Sequence, residues 1–412
     1  MAVPIHPASQ FEIQTTEPVD YWPTEEWQTS TPEEHGMNGT LLEIMNDYID
    51  EEDLWLDSVV VIKDGYIVYE DYPGTYGPTD LHYVCSVTKS ITSALIGIAL
   101  KQGYLSSLDV KVLDIFPGET FQNMSPEKEN ITIEHLLTMT SGLEWDEWTL
   151  PYTEDGNDFH DMWHHTGNSY YYILNKPMIA NPGEVWAYST GTSNLLMKIL
   201  IKLTNTDGFS FATKNLFKPL GISDKSWLAD ASGHPAGGHD LYLTPRDMAK
   251  IGYLYLNNGT WGDEQLIDPW YVNASQQTHF DLHEFFWAWI NDGYGYQWWT
   301  ETCRDFYYAN GQDGQIIAVL PQYDMVVAIN GYSESGLHNA RDGDGMHILR
   351  KFIIPAVRDY HPVTTTTNST TNMTSTENPI NNPAIVIITI LSASTMTALA
   401  IMLVRNQRRR EM

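Results

Sequence analysis

The pattern of apolar and polar residues predicts strands toward both ends of the chain and helices between them. Residues 59–69, VVVIKDGYIVY, indicate two strands joined by a tight turn at Asp64-Gly65. Near the other end, the apolar runs DFYYANG, GQIIAVLP and MVVAING predict three more strands, and residues 344–357 a closing helix. Helical patterns and Trp-, Tyr- and Gly-rich loops fill residues 104–300. This order predicts an α+β fold, an antiparallel sheet flanked by helices with a mostly helical inserted subdomain.

One helical segment combines an apolar surface with two reactive side chains. Residues 85–100, CSVTKSITSALIGIAL, are apolar almost all the way round from Ile91 onward, which predicts a buried helix. Ser86 and Lys89 lie three positions apart in its first turn and therefore project from the same face. A neutral amine there could accept the serine proton, and desolvation favours that neutral form. Because Ser-x-x-Lys is a common pattern, the pair gains weight only from the segments around it.

Composition narrows the function classes. The chain carries 22 Lys+Arg against 53 Asp+Glu, a formal net charge of -31, which disfavours nucleic acid as a partner. A hydrophobic content of 42% is enough for a substantial core. Cys85 and Cys303 are the two cysteines, which excludes a disulfide framework and a cysteine-rich zinc site. One bridge between them stays open, but we expect two buried free thiols.

Several segments, in order along the chain, resemble the beta-lactamase-related serine hydrolases. That family comprises class C beta-lactamases, D-alanyl-D-alanine peptidases, esterases and 6-aminohexanoate-dimer hydrolases. YVCSVTKSITSALIGIAL resembles the nucleophile helix, NPGEVWAYSTGTSNLL the second motif and NGQDGQIIAVLPQYDMVVAI the third motif. ITIEHLLTMTSGLEW, GGHDLYLTPRDMAKIGYLYLNNGTW and YGYQWW match further signatures. The resemblance covers most of residues 54–355 and implies the beta-lactamase/transpeptidase-like fold.

The resemblance also implies roles for individual residues. Ser86 would be the acylated nucleophile, and Lys89 its base or proton relay. Tyr188, as a phenolate or through proton exchange with Lys89, would help to activate Ser86, protonate the leaving group and activate the deacylating water. The backbone N–H groups of Ser86 and Gln315 would form the oxyanion hole.

Two departures from the family pattern bear on the substrate. Thr190 stands where the family often has Asn, and Gln312 stands where the third motif usually begins with Lys or His, with Asp313 next to it. Such a cation commonly serves a substrate carboxylate, so its loss disfavours penicillins and D-alanyl peptides. We therefore expect this chain to be nearer to the aminohexanoate-dimer hydrolase and esterase branches than to the true beta-lactamases. The residues expected to contact substrate are Thr190, Gln312, Asp313 and Gly314.

The leading hypothesis is a serine hydrolase that cleaves a small-molecule or short-peptide ester or amide without a cofactor or a metal. The alternative is a receptor of the same fold that is non-catalytic or is acylated without turnover. His165-Thr166-Gly167 spells a variant of the third motif, but it precedes Tyr188 and lies in a polar loop. A metal site that combines it with His160 and His164 is the weaker reading of this loop. The acyl group, the leaving group and the oligomeric state stay open.

The C-terminal region predicts a membrane anchor. Its Thr/Asn-rich stretch cannot form a core, whereas the 21 uncharged residues from Ala384 to Val404 would span about 31 Å as a helix, enough for a bilayer. Arginines follow directly, so the positive-inside rule places the main domain on the extracytoplasmic side. The first 30 residues lack a signal-peptide core, which keeps a cytosolic domain open. The predicted order is an extension (1–30), the hydrolase domain (31–360), a stalk (361–383), a transmembrane helix (384–404) and a basic tail (405–412).

Overall fold

A computed structural model describes residues 21–165, 168–230, 233–282, 293–332 and 343–357. The predicted stalk, transmembrane helix and basic tail lie outside the described residues, as do residues 1–20 of the extension. Within the described ranges, no helix has the length and apolar character needed to cross a membrane.

One antiparallel sheet joins the strands from both ends of the chain. Its strands are β1 (Leu56–Lys63), β2 (Tyr66–Asp71), β8 (Phe280–Asp281), β9 (Gly293–Tyr294), β10 (Trp299–Glu301), β11 (Phe306–Gly311), β12 (Gln315–Leu320) and β13 (Met325–Gly331). Their order in the sheet is β2-β1-β13-β12-β11-β10-β9-β8. The N-terminal hairpin β1-β2 therefore joins the sheet through β1, which pairs with the last strand, β13. The predicted hairpin is confirmed, with positive φ at Asp64 (52°) and Gly65 (85°) in the turn.

Two small sheets complete the strands. Their strands are β3 (His82–Tyr83), β4 (Ser226–Trp227), β5 (Leu241–Leu243), β6 (Thr260–Trp261) and β7 (Glu264–Gln265). The first sheet has the order β3-β5-β4, and its strand β3 lies just before the nucleophile helix in the chain. The second is the hairpin β6-β7.

The main sheet is buried on both faces, which explains the unbroken apolar run in β1. Val60 and Ile62 belong to a core with the helices of the insertion, whereas Val59 and Val61 belong to a second core with the terminal helices. Because side chains alternate across a strand, an antiparallel strand covered on both sides needs apolar residues at every position. The alternation seen in half-exposed sheets is therefore absent from VVVI.

The helices lie on both faces of the sheet, and most of them fall between β3 and β8. The helices are α1 (Gly39–Glu51), α2 (Val87–Lys101), α3 (Ile133–Leu137), α4 (Asp158–Trp163), α5 (Ser169–Leu174), α6 (Thr190–Thr204), α7 (Gly208–Ala212), α8 (Pro245–Leu256), α9 (Pro269–Gln276), α10 (Asp344–Ile348) and α11 (Ile354–Ala356). A π-helical segment, Leu349–Ile353, joins α10 to α11 and makes the predicted closing helix continuous. The α+β architecture with a mostly helical insertion is confirmed.

The described part of the N-terminal extension packs onto the domain. The Trp22 ring lies 5.8 Å from that of Tyr253 on α8, and Trp27 Nε1 donates to the carbonyl of Arg246 at 3.1 Å. Ser30 N–H donates to the carbonyl of Ile67 on β2. Residues 21–30 are therefore held by ring contacts and hydrogen bonds on the same unit as the sheet.

Candidate active site

The nucleophile candidate lies at the start of the buried helix. Ser86 directly precedes α2 and is half-buried, whereas the helix itself is buried from Val87 to Ala99. Cys85 takes the left-handed conformation (φ 48°), which turns the chain sharply into the helix. Neither cysteine forms a disulfide. Cys85 is buried as expected, but the expectation for Cys303 is wrong, because it lies exposed after the short strand β10.

Lys89 contacts the serine directly from within the core. Its Nζ lies 2.8 Å from Ser86 Oγ and donates to the carbonyl of Gly238 at 2.9 Å. The side chain is only 2% exposed. Burial lowers the pKa of Lys89 to about 8, although the charges of Glu147 and Cys85 act in the opposite direction. With that pKa, roughly a tenth of the lysine is a free amine at pH 7.

Tyr188 is held between two indole rings. Its ring lies 5.1 Å from that of Trp148 and 5.8 Å from that of Trp299, with interplanar angles of 18° and 20°. Lys89 Nζ is 4.9 Å from the centre of the Tyr188 ring. Burial, followed by the Glu147 charge, raises the pKa of Tyr188 far above its ordinary value, although a hydrogen bond with Ser86 lowers it. Tyr188 therefore keeps its proton at neutral pH, which favours proton exchange with Lys89 over a standing phenolate.

Gln315 begins the strand that faces the nucleophile turn. It is the first residue of β12 and pairs with Gly311 at the end of β11. Its side chain is buried, donates to the carbonyl of Gly331 at 2.6 Å and accepts from Asn330 Nδ2 at 2.7 Å. Ser58 Oγ donates to Asn330 in turn, at 2.9 Å. This amide network fixes the end of the strand on which the predicted oxyanion N–H lies.

Gly311 brings the strand end and the nucleophile turn together. A Cβ at this position would lie 2.6 Å from the carbonyl oxygen of Val84 and 3.1 Å from Cys85 Cβ. It would also lie 2.9 Å from Gln315 Cβ. The two residues proposed for the oxyanion hole, Ser86 and Gln315, therefore flank one close backbone approach that only glycine permits.

The residues predicted to contact substrate fall into two places. Gln312, Asp313 and Gly314 form a 3-10 turn between β11 and β12, with Gln312 and Asp313 half-buried and Asp313 in the left-handed conformation (φ 62°). Thr190 is instead 3% exposed, and both its N–H and its hydroxyl donate to Glu147 at 2.8 Å. The hydroxyl of Thr190 is therefore engaged within the protein, and its contact with substrate stays a prediction.

Sequence reasoning missed Glu147. This residue is 2% exposed and influences the pKa values of both Lys89 and Tyr188. The only signal was its place between two tryptophans in EWDEW, where Glu144 and Asp146 are exposed. Three acidic residues in five look like a solvated loop, so the one that turns inward cannot be distinguished by pattern alone.

A buried glutamine fixes the two helices of the site to each other. Gln297, from the YGYQWW segment, is 2% exposed and accepts at Oε1 from Ser193 on α6 at 2.6 Å. Its backbone carbonyl accepts from Ser90 on α2, also at 2.6 Å. Its amide donates to the carbonyls of Leu136 and Leu137 at 3.1 and 2.9 Å. The helix that follows Ser86 and the helix that follows Tyr188 are thus tied through one residue.

The possible metal ligands of the polar loop are not the three histidines, His160, His164 and His165, that the sequence suggested. Among the described residues, ligand atoms of Asp155, His160 and Asp161 lie within 4.8 Å of one another, and this group includes neither His164 nor His165. Asp155 is almost fully exposed, and such exposed acidic groups are common without a metal. Residues 166–167, the rest of the motif variant, lie outside the described residues.

Comparison with known proteins identifies the family of this chain. The sequence model of the Beta-lactamase family matches residues 54–344, about seven-tenths of the chain. The chain belongs to the beta-lactamase family. This family is a serine hydrolase superfamily with the fold of beta-lactamases and penicillin-binding proteins.

Curated relatives are distant. An uncharacterised protein of Alkalihalophilus pseudofirmus is 25% identical over 51% of this chain, and protein flp of Staphylococcus aureus is 25% identical over 67% of it. The chain spans 61% and 60% of their respective lengths. A 6-aminohexanoate-dimer hydrolase of Paenarthrobacter ureafaciens is 20% identical over 67% of this chain and 72% of its own.

Solved structures share the fold. A putative 6-aminohexanoate-dimer hydrolase from Bacillus anthracis superposes with a TM-score of 0.59 at 20% identity, over 74% of this chain and 80% of its own. EstCE1, described as a hydrolase with promiscuous acyltransferase activity, gives 0.61 at 16% identity, over 75% and 98%. At these sequence identities the structural similarity establishes the fold but does not identify the substrate.

We expect Gly311→Ala to slow the reaction of Ser86 by about 10²-fold, because the added methyl pushes the nucleophile turn away from the strand end. The rate of Ser86 modification by a fluorophosphonate measures this, with the melting temperature as a check on folding. Gly77→Ala is the matched control, since a Cβ there would be an ordinary 3.5 Å from Asp80. An unchanged rate in Gly311→Ala would show that this close approach does not position the serine.

Proposed function

We propose that this protein is a serine hydrolase that cleaves an ester or amide bond through an acyl-enzyme on Ser86. The observation that carries the proposal is the 2.8 Å contact between Ser86 Oγ and a buried Lys89 whose pKa is near 8. A buried lysine of this kind is a free amine often enough to remove the serine proton near neutral pH. Membership of a serine hydrolase family supports the same chemistry.

Acylation begins with the neutral form of Lys89. Ser86 Oγ attacks the carbonyl carbon of the substrate and gives its proton to Lys89 Nζ, which keeps its hydrogen bond to the carbonyl of Gly238. The carbonyl oxygen becomes an oxyanion, which the N–H groups of Ser86 and Gln315 stabilise. Formation of the ammonium is favoured by the carboxylate of Glu147.

Collapse of the tetrahedral intermediate transfers a proton to the leaving group. Tyr188 carries a phenolic proton and lies beside Lys89, so it protonates the departing alcohol or amine and takes a proton from the ammonium of Lys89. The acyl group then stays on Ser86 Oγ. For deacylation the same relay runs in the opposite direction: water loses a proton through Tyr188 to Lys89 and attacks the acyl carbon. The bond between that carbon and Ser86 Oγ then breaks, and Oγ takes the proton from Lys89.

The substrate we propose lacks a carboxylate near the scissile bond. The turn Gln312–Gly314 contains no basic residue, and Asp313 adds a negative charge where family members commonly use a cation for a substrate carboxylate. Unit charges about 4 Å apart interact by about 4 kcal/mol at an effective dielectric of ~20, which is enough to decide selectivity. Similarity to a 6-aminohexanoate-dimer hydrolase supports short esters and amides that bear a free amine.

We also propose that residues 384–404 anchor the enzyme in a membrane, with the hydrolase domain on the extracytoplasmic side. The support comes from the sequence: an uncharged span, a Thr/Asn-rich stretch before it and arginines after it.

Ser86 should be the single covalent site. Intact-mass spectrometry after fluorophosphonate treatment should show one adduct in the wild type and none in Ser86→Ala, while Ser106→Ala, at an exposed position, should label like the wild type. The labelling rate should rise with pH through about 8, because deprotonation of Lys89 creates the base. Hydrolysis of p-nitrophenyl esters then separates an enzyme from a receptor that is acylated without turnover. Labelling that persists in Ser86→Ala would refute the assignment of the nucleophile.

Benzylpenicillin should be a poor substrate compared with short esters or amine-bearing amides. Introducing a cation with Gln312→Lys should improve acylation by benzylpenicillin by about tenfold or more, since it supplies the missing partner for the carboxylate. Gln312→Met, which is uncharged and similar in size, is the control and should not improve it. Efficient penicillin hydrolysis by the wild type would contradict the proposed substrate class.

Protease treatment of intact cells tests the membrane orientation. We expect the hydrolase domain to be cleaved from outside and released from the membrane fraction. A variant that lacks residues 384–412 should not sediment with membranes. Cleavage that requires lysis of the cells would place the domain inside and contradict the proposed orientation.

A further inference from the structure

Glu147 is a buried carboxylate that neither gives nor takes a proton in the proposed reaction. Its side chain is 2% exposed, and its oxygens accept four hydrogen bonds. Oε2 accepts from Trp145 Nε1 at 2.6 Å and from the N–H of Thr190 at 2.8 Å. Oε1 accepts from the hydroxyl of Thr190 at 2.8 Å and from that of Tyr152 at 3.3 Å. A buried carboxylate needs such partners, because desolvation alone would be very costly.

These bonds hold the turn that presents Tyr188. Thr190 is the first residue of α6, and Glu147 binds both its N–H and its hydroxyl. The next cap contact is local, since Ser189 Oγ accepts from the N–H of Thr192 at 3.1 Å. A carboxylate at a helix N-terminus is also favoured by the helix dipole. Two residues before Thr190, the Tyr188 ring is thereby fixed next to the amine of Lys89.

The same carboxylate sets the electrostatic surroundings of Lys89. The amine contacts the Ser86 hydroxyl, the Tyr188 ring and the Gly238 carbonyl, and the charges that act on it are those of Glu147 and Cys85. Of the described residues that change the pKa of Lys89, Glu147 has the larger raising effect and Cys85 the smaller. Within the described ranges neither Lys89 nor Glu147 forms a salt bridge, so the charge of Glu147 acts on Lys89 from beyond contact distance.

We infer that Glu147 is a positioning residue for acylation: its hydrogen bonds fix the turn that carries Tyr188 beside the amine of Lys89, and its buried negative charge acts on that amine. The inference rests on the proposed function, in which Lys89 is the base for Ser86. Glu147 is saturated by donors from the protein itself, so it acts through Tyr188 and Lys89 and not by contact with the substrate.

Glu147→Gln separates the charge from the hydrogen bonds. The amide oxygen of glutamine can take the place of Oε2 and accept from the two N–H donors, Trp145 and Thr190. The amide NH₂ then faces the hydroxyls of Tyr152 and Thr190, which can rotate to accept. The substitution therefore preserves the shape and connections of the site and removes one negative charge. Glu144→Gln removes the same charge from an exposed position three residues away and is the matched control.

The measurement is the pH dependence of Ser86 labelling by a fluorophosphonate. In the wild type and in Glu144→Gln, the rate should rise with a midpoint near pH 8. In Glu147→Gln the midpoint should move to lower pH by about one unit, because the anion that favours the ammonium form of Lys89 is gone and the pKa of Lys89 falls. A role limited to structure would lower the rate without moving the midpoint.

A second variant tests the positioning role with the charge kept. Thr190→Val removes one hydroxyl donor to Glu147 and leaves the carboxylate in place, so the labelling rate should fall at least several-fold with the midpoint unchanged. Melting temperatures of all variants check that each one folds.

The possible outcomes separate the two levels of the argument. If the wild type does not label at Ser86, the proposed function fails. If the wild type labels normally but Glu147→Gln keeps the wild-type midpoint, the inference about charge is wrong while the proposed function stands. A labelling rate in Thr190→Val equal to that of the wild type would overturn the positioning role. This comparison still decides the positioning role if Glu147→Gln does not fold.

Discussion

Burial of one lysine amine beside a serine hydroxyl is the constraint on which the site depends. Lys89 reaches Ser86 and the carbonyl of Gly238 and has almost no access to water. Taking an ammonium out of water is costly, so the fold shifts this group toward the free amine. The carboxylate of Glu147 limits that shift. The chemical capacity of the site is therefore a balance between desolvation and one buried charge.

Keeping such a lysine in place requires a rigid frame. The nucleophile helix is buried along its length, and Gln297 ties it to the helix that follows Tyr188. At its start, Gly311 allows the end of β11 to touch the turn before Ser86. Every one of these contacts joins segments far apart in sequence, so the geometry of the relay is a property of the whole domain.

Burial, followed by the charge of Glu147, raises the pKa of Tyr188, so the tyrosine that stacks on Trp148 and Trp299 is protonated at neutral pH. A desolvated phenol serves as a proton donor to a leaving group more readily than as a standing base. The division of labour between Lys89 and Tyr188 follows from their surroundings, because burial favours the neutral form of both groups.

The five strands near the ends of the chain, the buried helix and the pairing of Ser86 with Lys89 could be predicted from the sequence, because hydrophobic periodicity and i, i+3 spacing are local properties. The short strands between β2 and β11 could not, because they are two or three residues long and show no such period. It also established the family, since ordered motifs survive where overall identity is low. The inward position of Glu147, the exposure of Glu144 and the hydrogen bond from the Thr190 hydroxyl to Glu147 are visible only in the folded structure. These features depend on which distant segment packs against each side chain. Neighbouring acidic residues in one loop have the same local sequence pattern, so that pattern does not show which of them is buried.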